Sequence, residues 1–182
     1  MTRYGIYLPE VRLLEPRVFI DERGFFTEFW NARNSTDFPT CVQDNVSYSA
    51  HGVLRGLHIQ HPHGQGKFVS VLRGEVFDVA VDVRRGSPMF GQWTGYFLSH
   101  ENRRQLYIPP GFAHGFLVTG EEALFFYKCS EYYNATTELT IRWNDPALAI
   151  TWPAQPLLLS SKDGAALCLN DIPAERLPEY QP

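Results

Sequence analysis

Lys67-Phe-Val-Ser-Val-Leu-Arg73-Gly74-Glu75-Val-Phe-Asp-Val-Ala-Val-Asp-Val83 alternates apolar residues with others along two runs. Such alternation marks a strand, because successive side chains of an extended chain point to opposite faces. Lys67, Val69 and Val71 share one face of the first run, and Val79, Val81 and Val83 share one face of the second. The Arg73-Gly74 pair between them predicts a hairpin with arms over 67–72 and 75–83.

Working outward, the same short-strand pattern recurs. Upstream, residues 4–20 set short apolar runs around Pro9 and Pro16, which suits two edge strands and a turn. Asp21-Glu-Arg23-Gly24 breaks the chain, and 25–30 follows as a strand with Phe26, Glu28 and Trp30 on one face. A polar loop over 31–40 precedes strands at 42–48 and 53–60. Downstream, strands are expected at 91–98, 105–108, 113–118 and 123–129, with Pro109-Pro-Gly111 and Gly120-Glu-Glu as breaks. Beyond Tyr132 the strand signals thin, 165–169 suits one helical turn, and the Pro-rich tail over about 164–182 reads as an arm. Roughly ten strands spaced about 8–12 residues apart predict a single all-β domain, a sandwich or jelly roll with short helical segments.

Hydrophobic residues are 44% of the 182, enough for a full core, and the 14% aromatic share favours strands. A net charge of −4 argues against nucleic acid as a partner. Cys41, Cys129 and Cys168 make no disulfide framework, and neither a signal peptide nor an apolar run of about 20 residues is present. A reduced cytoplasmic protein, away from membranes, is expected.

All six histidines fall between Ala50 and His114. His58 shares a strand face with Gln60 and reads either as a structural hydrogen-bonding residue or as a base. Lys67, in phase with two valines, either snorkels from a strand end or points a cation inward, where it would stabilise an oxyanion. Tyr127, central in Leu124-Phe-Phe-Tyr127-Lys128, is a core residue or a general acid. Asp163 is a surface turn acid unless the fold brings it to His58. Arg23, Arg55 and Arg73 are candidates for holding a phosphorylated ligand, and Tyr132 and Tyr133 for stacking on a base. A metal site is the competing reading: His58, His61, His63 and His114 offer nitrogen ligands, and Pro109-Pro-Gly111-Phe-Ala-His114 resembles the second motif of metal-binding cupins. Lys67 stands where the first such motif needs an acidic ligand, so no metal is expected.

Together, Asp21-Glu-Arg-Gly-Phe-Phe-Thr-Glu28, Gln43-Asp-Asn45, Gly52-Val-Leu-Arg-Gly-Leu-His58, Gln65-Gly-Lys67, Gly74-Glu-Val-Phe-Asp-Val-Ala-Val-Asp82, Ile108-Pro-Pro-Gly-Phe-Ala-His-Gly-Phe116, Tyr127-Lys128, Tyr132-Tyr133 and Trp143-Asn-Asp-Pro146 resemble the dTDP-4-dehydrorhamnose 3,5-epimerase family. The resemblance implies a cupin-type jelly roll without metal or cofactor. It implies a dTDP-4-keto-6-deoxy sugar substrate inverted at C3 and C5 through an enolate, on the way to dTDP-L-rhamnose. It makes His58 the base with Asp163 behind it, Lys67 the group that steadies the enolate, and Tyr127 the acid. Arg23, Glu28, Gln43, Asn45, Arg55, His114, Glu138 and Lys162 match sugar-nucleotide contacts, and Phe26 and Tyr133 match the pair flanking thymine. It also implies a homodimer exchanging its N-terminal strands, residues 1–20. Ile59, Phe68, Ser70 and Val46 depart from frequent family residues, which leaves a single-centre epimerase open beside the double one. A catalytically silent cupin that binds a sugar nucleotide is the alternative from another class.

Overall fold

The computed structural model describes residues 2–181. Its strands are β1 (Tyr4–Gly5), β2 (Arg12–Leu14), β3 (Val18–Asp21), β4 (Gly24–Thr27), β5 (Gln43–Ala50), β6 (Leu54–Gln60), β7 (Lys67–Asp82), β8 (Trp93–Ser99), β9 (Gln105–Ile108), β10 (Phe112–Cys129) and β11 (Glu138–Thr140). One helical turn, α1 (Ser161–Gly164), and short 3-10 turns complete the chain. All strand pairs are antiparallel; nine strands form one sheet, and β3 and β4 form a separate ribbon.

The two longest strands organise the sheet. β7 and β10 lie side by side from Lys67 against Cys129 to Asp82 against Phe112. Each changes its other neighbour midway. β7 pairs with β9 along 67–70 and with β8 along 75–81. β10 pairs with β6 in its first half and with β5 in its second. The sheet therefore folds over on itself as the expected jelly roll.

The hairpin expected at Arg73-Gly74 is absent, because β7 runs through as one strand. Val71 faces Phe125 while Arg73 faces Leu124, so two steps along β7 match one along β10. Such a bulge inverts the side to which later side chains point. Val69 and Val71 accordingly share the interior cluster with Val76 and Ala80, while Phe77, Val79, Val81 and Val83 face outward into a second cluster. Gly74 permits this: its φ is +80°, and a Cβ there would meet the Glu122 carbonyl oxygen at 1.7 Å. The strands expected over 113–118 and 123–129 likewise merge into β10.

Leu148, Leu169, Ile172 and Leu177 cover the outward face of β7. The tail read as an arm thus returns to the body, where Tyr180 N–H donates to Arg85 O at 2.9 Å. The helical turn expected at 165–169 forms instead as α1, four residues earlier. The strand expected over 25–30 ends at Thr27. Phe19, Ile20, Phe25 and Phe26 are exposed on the β3–β4 ribbon. Among the described residues, no helix is long and apolar enough to cross a membrane.

Candidate active site

His58 lies on β6 between two neighbours, with His114 of β10 on one side and Thr140 of β11 on the other. The approach of β6 to β10 depends on paired glycines, since a Cβ on Gly56 would meet Gly115 Cα at 2.5 Å. His58 Nε2 is 2.6 Å from Asp163 Oδ1, a carboxylate that arrives from α1 across 105 positions of sequence. With the carboxylate accepting from Nε2–H, Nδ1 of the neutral ring carries the lone pair. Burial would raise the Asp163 carboxyl. The hydrogen bond and charge of His58, helped by Ser160 and the Gly56 backbone, outweigh it and hold the group below its ordinary range.

Lys67 and Tyr127 reach the same place from the other half of the sheet. Tyr127 of β10 sits between Val69 of β7 and Asn45 of β5, and Lys67 begins β7 opposite Cys129. Alternation then places Gln43 and Asn45 beside them, because β5 turns its odd-numbered side chains inward. His58, Lys67, Tyr127, Gln43, Asn45, Gln65, Tyr133 and Glu138 all line one cavity of about 90 Å³. Burial pushes the Lys67 ammonium below its usual value, opposed by Cys129, Glu138 and Asp78. Burial likewise pushes the Tyr127 phenol up, so it holds its proton firmly.

A hydrogen-bonded rim surrounds this cavity. Asn45 Nδ2 donates to Cys129 Sγ at 3.6 Å, Gln43 Nε2 to Asn45 Oδ1 at 2.9 Å, and Tyr133 N to Gln43 Oε1 at 2.9 Å. Tyr133 Oη and Lys162 Nζ both donate to Glu138 Oε2, at 3.1 and 2.7 Å. Burial raises the Glu138 carboxyl, but Lys162, His58 and Tyr133 together draw it below its ordinary range. A wider groove of about 640 Å³ leads away from His58, lined by Arg55, Ser49, Leu158, Ser160 and Lys162. Ser49 Oγ and the Tyr48 carbonyl hold the Arg55 guanidinium, at 2.9 and 3.2 Å.

The fold therefore gathers His58, Lys67, Tyr127, Asp163, Gln43, Asn45, Arg55, Tyr133, Glu138 and Lys162. It does not bring Arg23, Phe26 or Glu28 to the cavity within one chain. Arg23 is on Asp21 at 2.6 Å, Phe26 is exposed, and Glu28 binds Asn31 and Asn34. His114 is buried with Nε2 on Asp78, at 2.9 Å from Oδ2 and 3.1 Å from Oδ1. Asp78 was missed as a partner, although its place in the alternating 75–83 run was the available signal. Among the described residues, no three His, Cys, Asp or Glu side chains gather as a metal site.

Comparison with known proteins fits this geometry. The family model for dTDP-4-dehydrorhamnose 3,5-epimerase matches residues 6–171. A dTDP-4-dehydrorhamnose 3,5-epimerase of Pseudomonas aeruginosa is 56% identical over 168 residues, which is 90% of this chain and 93% of that relative. One from Neisseria gonorrhoeae is 57% identical over 86% of this chain, and the chain spans about half of that relative, 49%. The crystal structure of dTDP-6-deoxy-D-glucose-3,5-epimerase from Legionella pneumophila, in complex with dTDP-4-keto-L-rhamnose, matches with a TM-score of 0.95 at 52% identity, over 100% of this chain and 99% of that one. This chain belongs to the dTDP-4-dehydrorhamnose 3,5-epimerase family.

Proposed function

We propose that this pocket inverts C3 and C5 of dTDP-4-dehydro-6-deoxy-D-glucose, giving dTDP-4-dehydro-L-rhamnose for dTDP-L-rhamnose biosynthesis. The observation that carries this reading is the meeting, in one small cavity, of a carboxylate-held imidazole, an ammonium and a phenol. A proton beside a ketone is too weakly acidic for imidazole to remove unaided. An ammonium at the carbonyl oxygen brings it into range, by stabilising the enolate charge where it develops. Burial loosens the Lys67 proton in the free enzyme, and the growing negative charge draws that proton back toward the oxygen. His58 takes the carbon-bound proton, and Asp163 supports the imidazolium. Tyr127, from a different strand, returns a proton to the face opposite His58. Each step is a proton transfer with no change of oxidation state; His58 then gives its proton to water and Tyr127 regains one from water, which resets both groups for the second inversion.

The cavity is far smaller than the roughly 300–1,000 Å³ of whole-ligand sites. The nucleotide end therefore lies along the adjoining groove and rim, where Arg55 and Lys162 face the diphosphate and Tyr133 faces the base. Arg23, Phe26 and Glu28 enter this reading through a second copy of the chain. The β3–β4 ribbon and the residue after it carry them with four exposed apolar side chains, which suits a homodimer in which the ribbon reaches the partner, while β1 and β2 pair with β8 and β9 of their own chain. Proton NMR of dTDP-4-keto-6-deoxyglucose in D2O tests the function. Deuterium at both C3 and C5, with a reductase trapping dTDP-L-rhamnose, supports it. Deuterium at one carbon makes the enzyme a single-centre epimerase, and none at either leaves only a binding protein.

A further inference from the structure

We propose that Ser160 is a positioning residue for the His58–Asp163 pair, acting by capping the turn that carries the carboxylate. This rests on the reading of the pocket as a proton-transfer site. The segment is anchored to β6 at two points. Leu54 N–H donates to Leu158 O at 3.1 Å, and Asp163 meets His58 at 2.6 Å. Between these anchors the chain must turn once, and α1 is that turn, only four residues long. A helix so short has no stability of its own, because nucleation is unfavourable and few bonds follow it. Its cap fixes it. Ser160 is extended (φ −67°, ψ 156°), its Oγ accepts from Asp163 N–H at 3.1 Å, and its carbonyl accepts from Gly164 N–H at 2.9 Å.

The residue thus bonded is the one whose side chain holds the base, and its neighbour Lys162 holds Glu138 on the rim. The cap hydroxyl bonds Asp163 alone, and Lys162 has its own hold on Glu138. Without that hydroxyl the Asp163 N–H is released and the carboxylate loses its aim at the imidazole, while Lys162 stays held by Glu138 on the rim.

The test compares wild type with Ser160→Ala, Ser160→Thr and Ser160→Asp. It reads deuterium uptake into saturating sugar nucleotide, KM, dTDP affinity by calorimetry, and thermal midpoint. Ser160→Ala is expected to slow uptake about tenfold, as misplacement of a catalytic group does, with dTDP affinity within about twofold of wild type. Threonine and aspartate, which also cap, are expected to restore most of the rate. Uptake in the alanine variant within about twofold of wild type overturns the proposal, whatever happens to the melting point. So does weaker dTDP binding or a raised KM at an unchanged saturated rate, which would make Ser160 a ligand contact. A rate that neither threonine nor aspartate restores also overturns it. Wild type that takes up no deuterium overturns the reading of the pocket instead, while retained dTDP binding keeps that outcome distinct.

Discussion

Two histidine–aspartate pairs sit side by side in this fold, and only one is open to a ligand. His58 and His114 are directly opposed across β6 and β10. His58 meets Asp163 through a single oxygen and keeps 26% of its side chain accessible. His114 faces both oxygens of Asp78, with 9% of its side chain accessible and none of the aspartate's. The chemistry of the two pairs is the same, but the surroundings differ. Burial lowers the proton affinity of His114 and raises that of Asp78, whereas the partner outweighs burial at Asp163. The carboxylate that serves the open histidine comes from a capped turn late in the chain, and the one that serves the closed histidine comes from the barrel strand itself. A histidine–carboxylate contact by itself does not mark a base; the adjoining cavity with Lys67 and Tyr127 is what supports the proposed reading of His58 as one.

The largest expected effects should separate the pairs. His58→Ala is expected to slow deuterium uptake at C3 and C5 by about 10³-fold, in the range for loss of a general base. Its thermal midpoint should fall less than in His114→Ala: Asp163 is itself only 2% accessible, but it keeps its Ser160 and Gly56 backbone partners when the imidazole goes. His114→Ala should cost stability more than rate. It leaves Asp78 buried without its partner, which costs about 3–5 kcal/mol and lowers the midpoint by roughly 10 °C for a chain of this size. Calorimetry with parallel kinetics checks both. An unchanged midpoint with a raised KM in His114→Ala would make His114 a substrate ligand and dissolve the contrast.

A smaller effect sharpens the role of the open pair. Tyr127→Phe removes a phenol that burial keeps protonated. Deuterium uptake should continue, since His58 and Lys67 remain, while net inversion falls about 10²-fold. Inversion at the wild-type rate would mean the second proton comes from elsewhere, with Lys67 and the rim the places to look.

Much of this was legible in the sequence, for reasons that differ by residue. Lys67 in phase with Val69 and Val71 offered an inward cation beside a snorkelling one, because strand period is strict over short distances, and the fold takes the inward course. The period failed at Arg73-Gly74, where a glycine suited to a turn instead made a bulge and exchanged the faces of β7. Local residue preference cannot tell those outcomes apart; pairing with β10 decides. Asp163 was anonymous as a surface acid, since its partner lies 105 positions away and only the fold joins them. Resemblance to a family supplied that partnership; periodicity could not. Arg23, Phe26 and Glu28 lie on or beside the β3–β4 ribbon, away from the cavity of their own chain, and no local pattern around Asp21–Gly24 announces that separation.

The smallest and most discriminating prediction uses pH, because the two aspartates are shifted in opposite directions. Asp163 lies below its ordinary value of 3.8. A depressed carboxylate contributes stability that is fully present above the unfolded value and is lost as pH falls through the folded one. Asp163→Asn should therefore lower unfolding free energy relative to wild type above about pH 5, with the gap narrowing below about pH 4. Asp78 lies above the same ordinary value because it is buried, and it faces His114 and Lys67. A raised carboxyl is most stabilising below the unfolded value, and that contribution is lost as pH rises through the folded one. The gap between wild type and Asp78→Asn should therefore narrow as pH rises from about 4. Urea unfolding of the three proteins between about pH 3 and pH 7 reads both slopes in one experiment. Slopes of the same sign would show that Asp163 and Asp78 sit in equivalent surroundings, and the distinction between an open, partner-dominated pair and a closed, burial-dominated one would fail.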